Sequence, residues 1–131
     1  MAVLLFERQF WRPILDRTKV HSIRGPRKRP IRAGDALSLR GWEGVAYRSP
    51  QRTLADVVCV RVRECRITSQ AITIDELRIV DPEHLDAFAV SDGFASWRDL
   101  LAYRGFNYGF PFSGVLYQWD VHPLLSQLET R

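Results

Sequence analysis

Leu15-Asp16-Arg17-Thr18-Lys19-Val20-His21-Ser22-Ile23-Arg24 is the stretch on which the reading of this chain turns. A lysine, a hydroxyl and an arginine follow one another at spacings of three and two, directly after a short helical pattern. If Lys19 to Arg24 is extended, side chains alternate, so His21 shares the face of Lys19 while Ser22 and Arg24 share the other. A bulge or a turn starting at Lys19 brings it beside Ser22 instead. An amine within hydrogen-bond reach of a hydroxyl can take its proton once burial or a nearby cation lowers the amine from its unperturbed pKa of ~10.4. Arg24 can serve that end and also hold an anionic or carbonyl-bearing ligand. The plainer alternative is an edge strand that keeps its charges in water.

Outward from this stretch, Met1 to Phe6 reads as a first strand. Trp11 to Asp16 suits a short helix with Pro13 in its first turn and Phe10, Ile14 and Leu15 as the inner face. Ala33-Gly34-Asp35 is a turn signal that launches an alternating strand over Ala36 to Trp42, and a polar loop from Glu43 to Thr53 follows. Val57 to Ile67 is the clearest strand, with Val58, Val60 and Val62 on one face and Cys59, Arg61 and Arg63 on the other. A short strand near Ala71 to Ile74 precedes helical spacing around Pro82 to Val90. Ser96, with Asp99 three residues on, caps a helix from about Trp97 to Arg104, and Gly105 stands past its end. Phe112 to Val121 closes the pattern as a strand, leaving 122–131 as a polar tail. Five or six strands with two or three short helices and no βαβ rhythm indicate an α+β fold, with a mixed sheet curled into a barrel.

At 131 residues the chain fits one domain spanning 1–131. No run approaches the ~18 apolar residues of a membrane span, and the N-terminus lacks a basic segment and a cleavage signal, so a cytoplasmic protein without a membrane partner is expected. The two cysteines, Cys59 and Cys65, support neither a zinc site nor a disulfide framework. His84 and His122 have no partners at metal-ligand spacing, and neither metal nor cofactor is expected. His21 is read as capping the barrel. The net charge of +4 is concentrated: Arg24, Arg27, Lys28, Arg29 and Arg32 crowd a loop stiffened by Pro26 and Pro30, a composition for phosphate contact or simply for solubility.

Together these pieces resemble the ASCH domain, a member of the PUA-like group of small β-barrels. The matching features are the helix followed by Lys19-x-x-Ser22-x-Arg24, the Gly34-Asp35 turn, Asp92-Gly93-Phe94-x-Ser96 before a helix, and the closing strand through Trp119. The resemblance covers roughly Phe6 to Val121. It implies a cleft that accepts RNA or a modified nucleoside. Some small bacterial members are amidohydrolases that deacetylate N4-acetylcytidine with a lysine, a threonine and a glutamate. Carried over, these roles fall on Lys19 as base, Ser22 as nucleophile and Asp92 as acid. Aspartate for glutamate shortens the arm by one methylene, and a displacement of ~1 Å in a catalytic group costs on the order of 100-fold in rate. A binding module, an amidohydrolase and a ribonuclease using the same basic groups therefore all stand as readings. A module that binds RNA would use Arg24, Arg27, Lys28 and Arg29 for phosphates and Trp42, Tyr47, Phe94 and Tyr108 for stacking. Each ring, and Trp119 too, has core packing as its alternative, and Asp92 before Gly93 is equally a turn former.

Overall fold

A computed structural model describes residues 1–130. The chain forms an α+β fold of two sheets. The first sheet joins β1 (Ala2–Leu5), β3 (Ala36–Trp42) and β4 (Gln51–Val58) in the order β1-β3-β4, with β1 parallel and β4 antiparallel to β3. The second is antiparallel throughout. It joins β2 (His21–Arg24), β8 (Phe112–Gln118), β5 (Arg61–Ile67), β6 (Ile72–Ile74) and β7 (Leu77–Ile79) in the order β2-β8-β5-β6-β7. Helices α1 (Trp11–Leu15), α2 (Pro82–Ser91), α3 (Trp97–Asn107) and α4 (Pro123–Glu129) complete the described elements, and a 3-10 turn at Arg8–Phe10 leads into α1.

The sequence suggested one curled sheet, and the pairing gives two because the run from Val57 to Ile67 is not one strand. The chain leaves the first sheet after Val58 and enters the second at Arg61. At this corner Cys59 is fully buried, its N–H donating to the Asp35 carbonyl at 2.8 Å and its own carbonyl accepting from Gly34 at 2.7 Å. Val60 then donates to Gln118 in β8 at 2.7 Å, and Trp119 donates to Val20 at 2.9 Å. These bonds extend the pairing within each sheet up to the corner, and no ring of strands closes among the described residues. The corner also separates the two cysteines: Cys59 packs in one apolar core and Cys65 in the other.

The first core lies under sheet one and α1 and includes Leu4, Phe10, Trp11, Ile14, Leu37, Leu39 and Trp119. The second lies between sheet two and α2, α3 and α4, around Ile67, Ile72, Ile74, Phe88, Leu100, Leu116 and Leu125. Phe94 packs against both. In β8 the side chains alternate as pleat geometry requires, with Leu116 in the second core and Tyr117 in the first. Trp119 is buried, its ring edge-on to Phe6, so it serves packing.

Several boundaries move. The expected polar loop ends early, since Gln51, Arg52 and Thr53 already pair with β3. Helix α3 runs through Gly105 to Asn107, and the glycine is explained by Phe110, whose ring lies so close that a Cβ would meet it at 3.2 Å. The expected polar tail is a helix. His122 caps it by accepting from the Leu125 N–H, Pro123 fits its first turn, Leu125 is buried, and Glu129 pairs with the buried Arg63 guanidinium at 2.8 Å. Helix α2 starts as its sequence indicates: Asp81 accepts from Glu83 and His84 at 2.9 and 3.3 Å, with Pro82 next. Asp81→Ala is expected to cost about 1 kcal/mol in chemical denaturation, the usual value of an N-cap, and an unchanged midpoint would contradict that role. No helix is long and apolar enough to cross a membrane, and among the described residues no group of three or more His, Cys, Asp or Glu side chains is arranged to hold a metal ion.

Candidate functional site

Three segments meet where the two cores adjoin: the link from α1 into β2, the end of α2, and the length of α3. Lys19 precedes β2, its N–H held by the Pro13 carbonyl at 3.0 Å, and its side chain runs inward. Asp92 caps the C-terminus of α2, where Gly93 follows in a left-handed conformation at φ 100°. That glycine is required twice over, since a Cβ would also fall 2.9 Å from the Phe10 ring. The turn delivers both the Asp92 carboxylate and its carbonyl to Lys19: Nζ donates to each at 2.7 Å. His21 Nε2 lies 3.0 Å from the same Oδ1, off the line of a full hydrogen bond. Oδ2 has no hydrogen-bond donor among the described residues, and the nearest cation, Arg104 of α3, is 3.9 Å away.

On the neighbouring face of β2, Arg24 Nε donates to Ser22 Oγ at 2.7 Å and its other nitrogen donates to the Leu5 carbonyl at 2.7 Å. The guanidinium lies 4.7 Å from the Phe6 ring centroid. Arg104 donates to the Ile23 carbonyl at 3.3 Å and faces the rings of Tyr108 and Phe112. Two cations, Lys19 and Arg104, thus lie within 4 Å of a single buried carboxylate, with the His21 imidazole beside it. Burial opposes the charge on Asp92, but Lys19 and then His21 overcome it and hold its pKa well below the usual carboxylate range. Burial lowers Lys19 despite the opposing pull of Asp92, and it lowers His21 in the same way. Arg24 is lowered chiefly by burial as well.

Lys19, Ser22, Arg24, Asp92 and Arg104 line a cleft of about 130 Å³ whose walls include Phe10, Phe94, Tyr103 and Tyr108. At ~30 Å³ per water this is room for a few waters, so the floor admits the edge of a ring or an amide group and leaves the bulk of a larger ligand at the rim. Glu7 sits on that rim, accepting from the Tyr103 hydroxyl at 2.8 Å. A wider groove of about 660 Å³ between α2 and α4 has no comparable cluster of charge.

Of the residues singled out from sequence, Lys19, Ser22, Arg24, Asp92, Phe94 and Tyr108 all line this one cleft. Arg27, Lys28 and Arg29 do not; they are exposed on the loop that leaves β2. Trp42 and Tyr47 lie elsewhere too, Trp42 in an adjoining recess with Tyr47 against it. Lys19 does not turn toward Ser22, as a bulge would have had it, but bonds to Asp92. His21 caps nothing: it is fully buried beside Asp92, its ring stacked on Phe88 at 5.2 Å and 5.0 Å from the ring of His122. Sequence reading missed Arg104, Tyr103 and Glu7. Arg104 carried one signal, its spacing of four from Leu100 on the inner face of α3.

Comparison of the chain with family models, with curated proteins and with solved structures finds no match.

Proposed function

We propose that the cleft binds a nucleobase-bearing ligand, a modified nucleoside or a residue of RNA, with the polar edge of the base on the floor and the sugar at the rim. The observation that carries this reading is the union of Lys19, Arg24 and Arg104, the single carboxylate of Asp92 and the Ser22 hydroxyl beneath aromatic walls. Base edges present carbonyls and ring nitrogens that want such donors, and base faces stack on rings. The likeness of Lys19-x-x-Ser22-x-Arg24 and Asp92-Gly93-Phe94 to ASCH motifs supports the same reading, and with it a PUA-like description of the two sheets. Titration of the purified protein with cytidine and N4-acetylcytidine tests it. Arg24→Ala and Tyr108→Ala are each expected to weaken binding about tenfold, in line with ~1–3 kcal/mol per base stack or charged contact. Equal affinity in all three proteins contradicts it; Tyr108 is 58% exposed, so its removal leaves the fold intact.

A second reading, amide hydrolysis, is favoured by two features. Burial lowers the Lys19 amine, and Ser22 Oγ accepts from Arg24, which leaves its own O–H proton free to donate. In that reaction Lys19 takes the Ser22 proton, Oγ attacks the acetyl carbonyl, the C–N bond breaks with the proton passing to the cytidine amine, and water hydrolyses the serine ester. Lys19 must first swing from Asp92 toward Ser22. Release of cytidine from N4-acetylcytidine, lost in Ser22→Ala, supports this chemistry; its absence in the unaltered protein leaves binding alone.

A further inference from the structure

The cleft does not end at Glu7. Leu5, Phe6 and Glu7 line it and also line a second recess of about 500 Å³ completed by Arg8, Trp42, Glu43, Gly44 and Ala46. This recess is built by the Glu43 to Pro50 loop, and the loop is organised. Arg8 donates to the Glu43 carbonyl at 2.9 Å, the Glu43 N–H donates to Pro50 at 3.0 Å, and Ser49 Oγ donates to Val45 while accepting from Gly44.

Beside it stands an aromatic pair with no packing duty. The Tyr47 ring lies 5.1 Å from that of Trp42, tilted by 50°, and Tyr47 is 84% exposed. Its backbone is left-handed at φ 64°, a conformation that disfavours a bulky residue. A tyrosine held there in water, at a backbone cost and without core contacts, fits the holding of strain at binding sites. Three extended residues span ~10 Å, so the shared wall sets the two recesses within reach of one ligand. Arg8 offers a cation on the second recess and Glu7 an acceptor on the wall between them.

Resting on the reading of the first cleft as a nucleobase site, we infer that the Trp42 recess is a second base subsite, and that the ligand is therefore a ribo-oligonucleotide of at least two residues rather than a lone nucleoside. The second base stacks on the Trp42 and Tyr47 pair, Arg8 meets the linking phosphate, and Glu7 accepts from a ribose hydroxyl.

Equilibrium titration with cytidine, cytidine 5′-monophosphate and the dinucleotide CpC tests this in the unaltered protein and in Trp42→Ala and Tyr47→Ala. The dinucleotide is expected to bind at least about tenfold more tightly than the monophosphate, and both variants are expected to abolish most of that gain while leaving the monomers unchanged. Tyr47→Ala guards against a folding artefact, because its side chain lies in solvent. Equal affinities for monomer and dimer in the unaltered protein overturn the second subsite while sparing the first. Equal weakening of monomer and dimer in the variants overturns it as well. Failure of cytidine and its monophosphate to bind at all defeats the nucleobase reading itself.

Discussion

Asp92→Ala is expected to destabilise the protein by about 3–5 kcal/mol, the range found when one partner of a buried ion pair is removed. The side chains of Asp92 and Lys19 are 2% and 4% exposed, and the carboxylate is the only anion among Lys19, His21 and Arg104. Its loss strands an ammonium whose other acceptor is a single carbonyl, that of Asp92 itself. Lys19→Met is expected to cost less, since Asp92 keeps Arg104 at 3.9 Å as a partner for its charge. Denaturant unfolding of both single variants and the double variant yields their coupling directly. A loss below about 1 kcal/mol for Asp92→Ala would show that the pair does not hold the two cores at this junction.

Acid is expected to weaken the fold over a defined window, through His122. This ring is 1% exposed, and its bonding assigns its proton: Nδ1 accepts from the Leu125 N–H at 3.2 Å, so Nε2 carries the hydrogen toward Ser91 Oγ, which in turn donates to the Phe88 carbonyl. Burial, reinforced by the charge of His21, pushes its pKa down to about 3 from an ordinary 6.5. Between those values the unfolded chain binds a proton that the folded chain refuses. Stability is therefore fully present above pH 6.5 and falls as pH drops, by up to about 5 kcal/mol at pH 3. His21, also lowered by burial, adds loss in the same direction. Asp92 contributes below about pH 4, because its pKa is depressed in the folded protein and the unfolded chain takes up that proton first. His122→Asn keeps an N-cap acceptor but cannot titrate, so its stability is expected to fall less steeply between pH 6.5 and 4. Parallel profiles for the variant and the unaltered protein would remove His122 from this account.

The elements that sequence made legible are those governed by local rules. The helical spacing of α2, the cap of α3, the strand over Ala36–Trp42, and the turns at Gly34 and Gly93 all depend on neighbours in the chain. What escaped was governed by distant partners. Arg63 sits in a strand as an apparent surface residue, yet it is buried because Asp75 and Glu129, 12 and 66 positions away, satisfy its guanidinium. The two faces read from the run are kept, and the partners decide which is inward: Val58, Val60 and Val62 face solvent while Cys59, Arg63 and Cys65 are buried. His21 and His122, 101 positions apart, likewise meet only in the folded chain, their rings 5.0 Å apart.

The candidate site divides in the same way. Lys19, Ser22 and Arg24 were visible as a local motif, and the pairing of Lys19 with Asp92, 73 positions on, was reached through resemblance alone. Arg104 required knowledge that α3 brings its guanidinium to the Ile23 carbonyl of β2. Trp42 and Tyr47 were grouped with the cleft by residue type, but the wall of Leu5, Phe6 and Glu7 divides them from it.

The most direct test of the central claim is the amide and side-chain NMR spectrum of the uniformly labelled protein as cytidine is added. The account predicts shifts that saturate together at Lys19, Ser22, Arg24, Phe94 and Arg104, five of the residues lining the 130 Å³ cleft. Saturable shifts confined to the groove between α2 and α4, or no shifts at millimolar ligand, would contradict it.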